Sequence, residues 1–202
     1  EIYTLSLHDA LPIYDCILQN ERYDARYLSA PGKKAADAIG EPTWSDATHL
    51  VAVDLPNRPV VTAKLLGRAD GAAEDARFVF VDGELTLADD VVGAADLDVD
   101  AHIEVNGEPT RVRSVFALFK ERIDEHPLEY YAEQCGIDVP VIEEVAREFT
   151  SHGKRAAITS YRGPCMHTNG YDAVRAINYL NFLIGNNDWK GGNAVIDRKS
   201  VV

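Results

Sequence analysis

The segment 153–192 constrains the fold of this chain more than any other part of the sequence. Residues 156–160 have the small and β-branched composition of a buried strand. A polar loop with glycines at Gly163 and Gly170 follows, and then an apolar stripe that predicts a helix to about Ile184. Strand, glycine-containing loop and helix in this order are typical of α/β folds, where the helix start can face a bound phosphate. The sequence therefore predicts an α/β fold class.

The loop 161–170 carries the side chains best suited to binding a ligand. Arginine can hold an anion through two parallel hydrogen bonds, histidine can exchange protons near neutral pH, and glycine allows close approach to the backbone. The alternative is an ordinary connection whose polar groups satisfy nearby backbone. Cys165 and His167 supply only two of the four ligands of a structural zinc site, and no orienting acid accompanies them. We therefore predict neither a metal ligand nor a catalytic residue in this chain.

The middle of the chain, 60–112, is rich in strand patterns. Two apolar runs meet at Asp82-Gly83, and two more meet at Asn106-Gly107. These dipeptides favour two-residue turns, so each pair of runs predicts a β-hairpin. Pro109 predicts that its strand lies at a sheet edge. Two successive hairpins indicate a surface excursion from a larger domain.

The segments on either side of the hairpins mix helix and strand patterns. Before them, 14–59 predicts strands at 26–30 and 49–53 and a helix at 33–39 that ends at Gly40. After them, 113–152 predicts three helices. The first is capped by Ser114, the second ends at Gly136, and the third is capped by Asp138. In the third helix, Val141, Ile142, Val145, Ala146 and Phe149 are predicted to form the buried face.

Composition excludes several functional classes. The chain has 202 residues, with 33 acidic against 20 Lys and Arg side chains and a formal charge of −13. A nucleic-acid binder needs a positive face, so we predict no nucleic-acid partner. No apolar run approaches the ~20 residues of a membrane span, and three cysteines are too few for a disulfide framework. The abundance of Asp favours a salt-adapted source over an ordinary acidic surface.

The two ends of the chain are predicted to be foreign to it. Residues 7–13 read LHDALPI, which the DNA string CTACACGACGCTCTTCCGATC encodes. The reverse complement of that string encodes DRKSVV followed by a stop codon, and DRKSVV is the sequence of 197–202. The whole of 1–13 also resembles a translated sequencing adapter. We therefore expect 1–13 and 197–202 to be adapter-derived, with 14–196 cut from a longer gene.

Four runs in the C-terminal half resemble the molybdopterin oxidoreductase family: GKRAAI at 153–158, HTNG at 167–170, AINYLNFLIGN at 176–186 and KGG at 190–192. Segments 41–51, 115–121, 131–136 and 146–154 resemble the branch of that family that reduces tetrathionate. The resemblance covers nearly all of 14–196. Arsenate, polysulfide and thiosulfate reductases are near relatives of that branch.

The resemblance implies a central fragment of a multidomain catalytic subunit. With the sequence patterns above, we divide the chain into an α/β segment of a truncated domain at 14–59, a hairpin-rich excursion at 60–112 and a helical and α/β cofactor-side segment at 113–196, which contains the strand–loop–helix unit. The resemblance implies a cofactor of molybdenum held by two molybdopterin guanine dinucleotides. The cofactor-side residues that it implies are Arg162, Gly163, His167, Thr168, Asn169 and Gly170.

Several further properties of the parent protein follow from the same resemblance. It implies a [4Fe–4S] cluster, whose cysteine ligands are absent here, and a small anionic substrate. It also implies a place on the extracytoplasmic face of the membrane, together with an iron–sulfur electron-transfer subunit and a membrane-anchor subunit. The fragment alone is expected to be inactive. The alternative from another class is a self-contained acidic α/β binding module, which would fold cooperatively by itself.

Overall fold

The structure is a computed structural model that describes residues 7–68, 73–160, 162–166, 168 and 170–193. The helices within these residues are α1 Leu7–Gln19, α2 Ala25–Leu28, α3 Lys33–Ile39, α4 Val115–Ile123, α5 Leu128–Cys135, α6 Val139–Ser151, α7 Arg162–Cys165 and α8 Gly170–Leu183. The strands are β1 Leu50–Ala52, β2 Phe78–Val81, β3 Glu84–Leu87, β4 Asp100–Val105 and β5 Glu108–Ser114. Helices combined with small antiparallel sheets agree with the predicted α/β class.

Residues 25–122 form one compact unit around two antiparallel sheets. One sheet has the strand order β1-β5-β4, and the other is the β2–β3 hairpin. In the larger sheet Leu50 pairs with Ser114 and Ala52 pairs with Val112. Apolar side chains from both sheets meet in one core, which contains Leu50, Ala52, Val61, Ala63, Phe78, Phe80, Val99 and Val112. Strands from the predicted segments 14–59 and 60–112 therefore share a core.

Both predicted hairpins are confirmed, and the backbone of their turns shows why. Asp82 and Gly83 have φ values of 51° and 80°, and Asn106 and Gly107 have 53° and 83°. Two successive positive φ angles match the right-handed twist of the flanking strands, and Asp, Asn and Gly tolerate this conformation best.

Pro109 does not lie on an edge strand, so that prediction is wrong. It lies in β5, the central strand of its sheet, opposite Glu104 of β4. The reason is that β1 is short and pairs only with the far end of β5, from Val112 to Ser114. At Pro109 the strand has a neighbour on one side only, and the missing N–H is tolerated there.

The predicted strand at 26–30 is also wrong, because that part of the chain begins with helix α2. Tyr27 and Leu28 are consecutive and both buried. A helical turn can direct two consecutive side chains inward, whereas a strand alternates them. The Tyr27 hydroxyl donates to the carbonyl of Trp44 at 3.2 Å, which ties this turn to the following segment.

His49 is a buried polar residue of the same unit, at 6% exposure. Its Nε2 lies 3.2 Å from the carbonyl oxygen of Pro31, and its Nδ1 lies 3.3 Å from Nη1 of Arg77. A carbonyl only accepts hydrogen bonds, so Nε2 carries the proton and Nδ1 accepts from Arg77. Burial lowers the pKa of His49, and the charge of Arg77 lowers it further. The folded unit therefore holds this imidazole neutral.

We expect His49 to make this unit sensitive to mild acid. The pKa of His49 is lower in the folded chain than its ordinary value of 6.5, so the unfolded chain binds the proton first. The stabilisation that the neutral His49 gives the folded unit is complete above pH 6.5, the ordinary pKa of histidine. It is lost as the pH falls from that value through the lower pKa that His49 has in the folded chain. The measurement is the urea midpoint at several pH values, followed by Trp44 fluorescence in a Trp189→Phe background. The added variant His49→Gln should flatten the plot of urea midpoint against pH between pH 7 and the onset of carboxylate protonation. An unchanged plot would contradict the assignment of the acid sensitivity to His49.

The remaining described residues form a second, helical unit built from chain segments before and after the first. Cys16 of α1, Ala132 of α5, and Ile142 and Ala146 of α6 form its core. The Tyr14 hydroxyl donates to the carbonyl of Ala176 in α8, and burial raises the pKa of that tyrosine. Helix α1 therefore contacts α5, α6 and α8.

The residues that the sequence predicted to cap or end helices do so in both units, with one exception. Oγ of Ser114 accepts from the backbone N–H of Ala117 at 3.1 Å, as expected of a capping residue. Gly40 and Gly136 end α3 and α5 with φ values of 74° and 66°. Asp138 precedes α6, but its side chain makes no capping hydrogen bond.

The predicted buried face of α6 is only partly correct. Ile142 and Ala146 are buried, whereas Val141 and Val145 are about half exposed, at 51% and 47%. The reason is that α1 and α5 cover only a narrow stripe of α6. Each of the two valines precedes a buried residue by one position, so its side chain lies beside that stripe. The helix thus leaves an uncovered apolar strip beside its buried one.

The adapter origin of 1–13 and 197–202 stays a prediction, and so does the division of the chain into three segments. Helix α1 begins at Leu7, inside the segment 1–13, but a helical conformation says nothing about the origin of a sequence. Segment 197–202 lies outside the described residues. None of the described helices is long and apolar enough to cross a membrane.

Candidate functional site

The loop that the sequence singled out is compact where the structure describes it. Residues Arg162–Cys165 form the single helical turn α7, and α8 begins at Gly170. Arg162, Gly163 and Thr168 are exposed, whereas Gly170 is buried. His167 and Asn169 lie outside the described residues. The structure thus places four of the six predicted cofactor-side residues in one short connection, three of them exposed.

The two glycines of this loop differ in their surroundings. A Cβ atom added to Gly170 would lie 2.5 Å from the carbonyl oxygen of Cys165 and 2.7 Å from its Cα. Only glycine fits there, because the first turn of α8 packs directly against the backbone of α7. A Cβ atom on Gly163 would meet nothing within 4 Å. Gly170 therefore has a packing role, and Gly163 leaves open space in which a ligand could approach the backbone.

The predicted strand at 156–160 makes no strand pairing among the described residues, and an asparagine of α8 takes the place of a neighbouring strand. Oδ1 of Asn181 accepts from the backbone N–H of Ile158 at 2.9 Å, and its Nδ2 donates to the carbonyl of Ile158 at 2.7 Å. A carboxamide presents one acceptor and one donor, as a strand does. Asn181 is completely buried. It therefore fixes the segment that leads into the loop.

A second buried asparagine extends this arrangement towards the chain segment 186–193. Nδ2 of Asn186 donates to the carbonyl of Ala156 at 2.5 Å and to Oδ1 of Asn181 at 3.0 Å. The backbone carbonyl of Asn186 accepts from the N–H groups of Trp189 and Asn193, at 3.3 and 3.1 Å. We call Asn181 and Asn186 the asparagine clamp. The clamp joins the end of α8 to the segment that precedes the loop.

Gly192 completes this packing. A Cβ atom at Gly192 would overlap the carbonyl oxygen of Asn186 and would lie 2.7 Å from the carbonyl oxygen of Lys154. Asp188 has a positive φ of 57°, which is typical of a turn. The clamp itself was missed, because Asn186 next to Gly185 is as typical of an ordinary turn as of a buried bridge, and Asn181 lies inside a helical pattern. The two side-chain bridges become visible only when α8 is placed beside 156–158.

Helix α8 also carries an arginine that the sequence did not distinguish. The guanidinium carbon of Arg175 lies 5.4 Å from the ring centroid of Tyr171 and 5.5 Å from that of Tyr179. Nη2 of Arg175 donates to the Tyr179 hydroxyl at 2.6 Å. Rings on both sides hold this cation by cation–π attraction at the surface of the helix. Spacings of four residues, typical of one helix face, could have indicated it.

The cysteines and acidic residues offer no metal centre in the described part of the chain. Cys16 is buried and Cys165 is exposed, and Sγ of Cys165 donates to the carbonyl of Arg162 at 3.1 Å. Burial raises the pKa of the Cys16 thiol to about 11, so it is a protonated apolar side chain. Within the described ranges no three His, Cys, Asp or Glu side chains are grouped as metal ligands.

The chain is similar to part of three curated reductase subunits. It is 35% identical over 184 residues to a selenate reductase subunit of Mesobacillus selenatarsenatis and 36% identical over 178 residues to a tetrathionate reductase subunit of Salmonella typhimurium. It is 31% identical over 183 residues to the corresponding tetrathionate reductase subunit of Archaeoglobus fulgidus. These matches cover 91%, 87% and 91% of this chain. No protein-family model matches it.

The chain belongs to the molybdopterin oxidoreductase family. This confirms the family that the sequence runs had indicated. The chain spans about one sixth of the length of these relatives, since it matches 17%, 17% and 16% of them. The asparagine clamp lies within the run 176–186 that carried the resemblance, and the run 167–170 is the last part of the loop. A selenate-reducing relative was not among the alternatives that the sequence suggested.

Proposed function

We propose that the chain is an internal part of the catalytic subunit of a molybdopterin-dependent reductase that acts on tetrathionate. The similarity to reductase subunits over about nine tenths of the chain carries this proposal. Two of the three relatives are named as tetrathionate reductases. Selenate is the second candidate substrate, because a relative of the same similarity is named for it. Arsenate, polysulfide and thiosulfate are favoured by none of these three names.

The described residues fit a role beside the cofactor in part. Arg162 and Thr168 are exposed polar side chains, and the open space at Gly163 leaves room for a phosphate or pterin edge. Gly170 does not fit this role, because the backbone of Cys165 already fills the space beside it. We propose that Arg162, Gly163 and Thr168, with His167 and Asn169 by resemblance, line the cofactor side. Gly170 instead holds α7 against α8.

In the reaction, tetrathionate accepts two electrons, its central S–S bond breaks, and two thiosulfate ions leave. The molybdenum cofactor, when bound, supplies the two-electron redox chemistry. The residues of this chain bind and orient. The Arg162 guanidinium offers paired N–H donors to a phosphate of the cofactor or to an incoming oxyanion. The asparagine clamp keeps the segment before Arg162 from shifting, which maintains the direction of those donors.

The wider setting is part of the same proposal. The parent would carry a [4Fe–4S] cluster, be held by a membrane-anchor subunit on the extracytoplasmic face and receive electrons from an iron–sulfur subunit. Exposed apolar side chains support the presence of further protein around this segment. Val141 and Val145 on α6, and Tyr171 and Phe182 on α8, are 40–74% exposed. A self-contained acidic binding module would be expected to cover such side chains.

The test uses the full-length parent, recovered by extending the reading frame in the source DNA beyond codons 14 and 196. Deleting residues 162–169 should abolish bound molybdenum and pterin, measured by elemental analysis and by fluorescence of the released pterin. Arg162→Gln should lower tetrathionate-dependent oxidation of a reduced dye by about tenfold or more, because a charge-assisted hydrogen-bonding group is lost. Arg147→Gln is the matched control, since Arg147 is an exposed arginine paired with Glu144 on α6. Unchanged metal content in the deletion would overturn the assignment of the loop.

A further inference from the structure

A second candidate site lies in the unit 25–122 and does not involve the loop. The surface there opens into a groove of about 560 Å³, next to α3 and the β2–β3 hairpin. Pro31, Trp44, His49, Arg77 and Asp89 are among the residues that line it. The function proposed above assigns no role to any of these residues.

Arg77 in this groove is positioned without being neutralised. Its Nη1 donates to Nδ1 of the buried His49, whose other nitrogen donates to the carbonyl of Pro31. Both nitrogens of a neutral imidazole are therefore occupied, and the guanidinium is held by a partner that carries no charge. Within the ranges that the structure describes, Arg77 forms no ion pair with a carboxylate. Its remaining N–H groups can therefore bind an anionic group of a ligand.

The same groove offers a separate place for a positive charge. Asp89 is exposed and forms no ion pair among the described residues, whereas its neighbour Asp90 pairs with Lys34 at 2.9 Å. Trp44 is 48% exposed. An indole face attracts ammonium groups, and quaternary ones especially, because of its negative quadrupole. A carboxylate and an indole lining one groove are both suited to an organic cation.

We propose that this groove binds a small zwitterion, with the carboxylate of the ligand on Arg77 and its ammonium group at Asp89 and Trp44. Charge complementarity favours this class over simpler ions. A lone anion would be repelled by Asp75, Asp89 and Asp90, and a lone cation would leave the Arg77 guanidinium without a charged partner. A molecule with both charges satisfies Arg77 and Asp89 at once, and the apolar part of the wall can contact its carbon atoms. This inference does not depend on the proposed reductase function.

The test is a titration of the 202-residue chain with glycine betaine, which joins a carboxylate to a quaternary ammonium group. Trp44 fluorescence reports binding in a Trp189→Phe background. Choline and acetate serve as the two halves of the ligand. We expect betaine to bind about tenfold more tightly than choline, and we expect acetate to give no saturable change. The reason is that each half of the ligand leaves one charge of the groove uncompensated. Arg77→Gln and Asp89→Asn should each weaken betaine binding by about tenfold.

Two matched controls separate a site from general attraction to an acidic protein. Asp37→Asn and Arg147→Gln remove the same kinds of charge from surface ion pairs outside the groove, so betaine binding should be unchanged. Urea midpoints of all variants establish that a lost signal is not lost folding. Choline binding as tightly as betaine would overturn the zwitterion assignment in favour of a cation site. The absence of saturable betaine binding, or full affinity in Arg77→Gln, would overturn the site itself.

Discussion

Replacing Asn181 with leucine is expected to destabilise the helical unit by about 2–4 kcal/mol, because the change leaves the N–H and carbonyl of Ile158 without partners and removes the acceptor of Asn186 Nδ2. Each buried polar group that loses its partner costs roughly 1–3 kcal/mol. The measurement is a urea titration in a Trp44→Phe background, so that Trp189 reports on this unit. Hydrogen exchange should quicken most at the amide of Ile158.

Asn178→Leu is the matched control for this prediction. It makes the same chemical change one turn earlier on α8, at a half-buried side chain that makes no hydrogen bond among the described residues. Its urea midpoint should stay close to that of the parent chain. Equal midpoints for Asn181→Leu and Asn178→Leu would show that the hydrogen bonds of the clamp contribute nothing to stability.

Gly170→Ala is expected to cost about 3 kcal/mol, because its methyl group would lie 2.5 Å from the carbonyl oxygen of Cys165. Backbone cannot move aside as a flexible side chain can, so α7 must separate from α8. Gly163→Ala is the natural comparison, since it adds the same methyl group earlier in the loop, into open space. Its effect should stay within about 0.5 kcal/mol. Thermal unfolding followed by circular dichroism checks both values.

The same pair of variants separates packing from ligand binding in the full-length parent. If a cofactor edge lies against Gly163, alanine there should lower the molybdenum content while the stability of the isolated chain is unaffected. Full molybdenum content in Gly163→Ala would remove that glycine from the cofactor side. A stable Gly170→Ala chain would refute the close contact between α7 and α8.

The parts of the fold that depend on local chemistry could be predicted from the sequence. Asp82-Gly83 and Asn106-Gly107 specify their turns by backbone preference alone, and Ser114, Gly40 and Gly136 mark helix ends for similar reasons. The place of β5 in the centre of its sheet could not be predicted, because it depends on β1, which is far away in sequence. Pro109 was misinterpreted for that reason.

The sequence indicated which residues make up the candidate site, but it did not indicate which contacts hold them in place. The polar loop and its glycines stand out in the sequence, but the separate roles of Gly163 and Gly170 depend on whether another backbone lies beside each of them. Residues 156–160 have a strand composition, yet their partner is a side chain of α8. An asparagine that substitutes for a strand has no periodic pattern by which it could be recognised.

The order of the chain has a consequence for synthesis on the ribosome. The Tyr14–Ala176 hydrogen bond joins residues 162 positions apart, whereas every strand pairing in Ala25–Arg122 is complete once residue 114 has emerged. Contacts between distant residues form late and slow the folding of the elements that need them. The β-rich unit is therefore expected to fold first, during translation. Helix α1, made before it, must wait with its apolar face uncovered until α5, α6 and α8 have left the ribosome, and in that interval it depends most on chaperones.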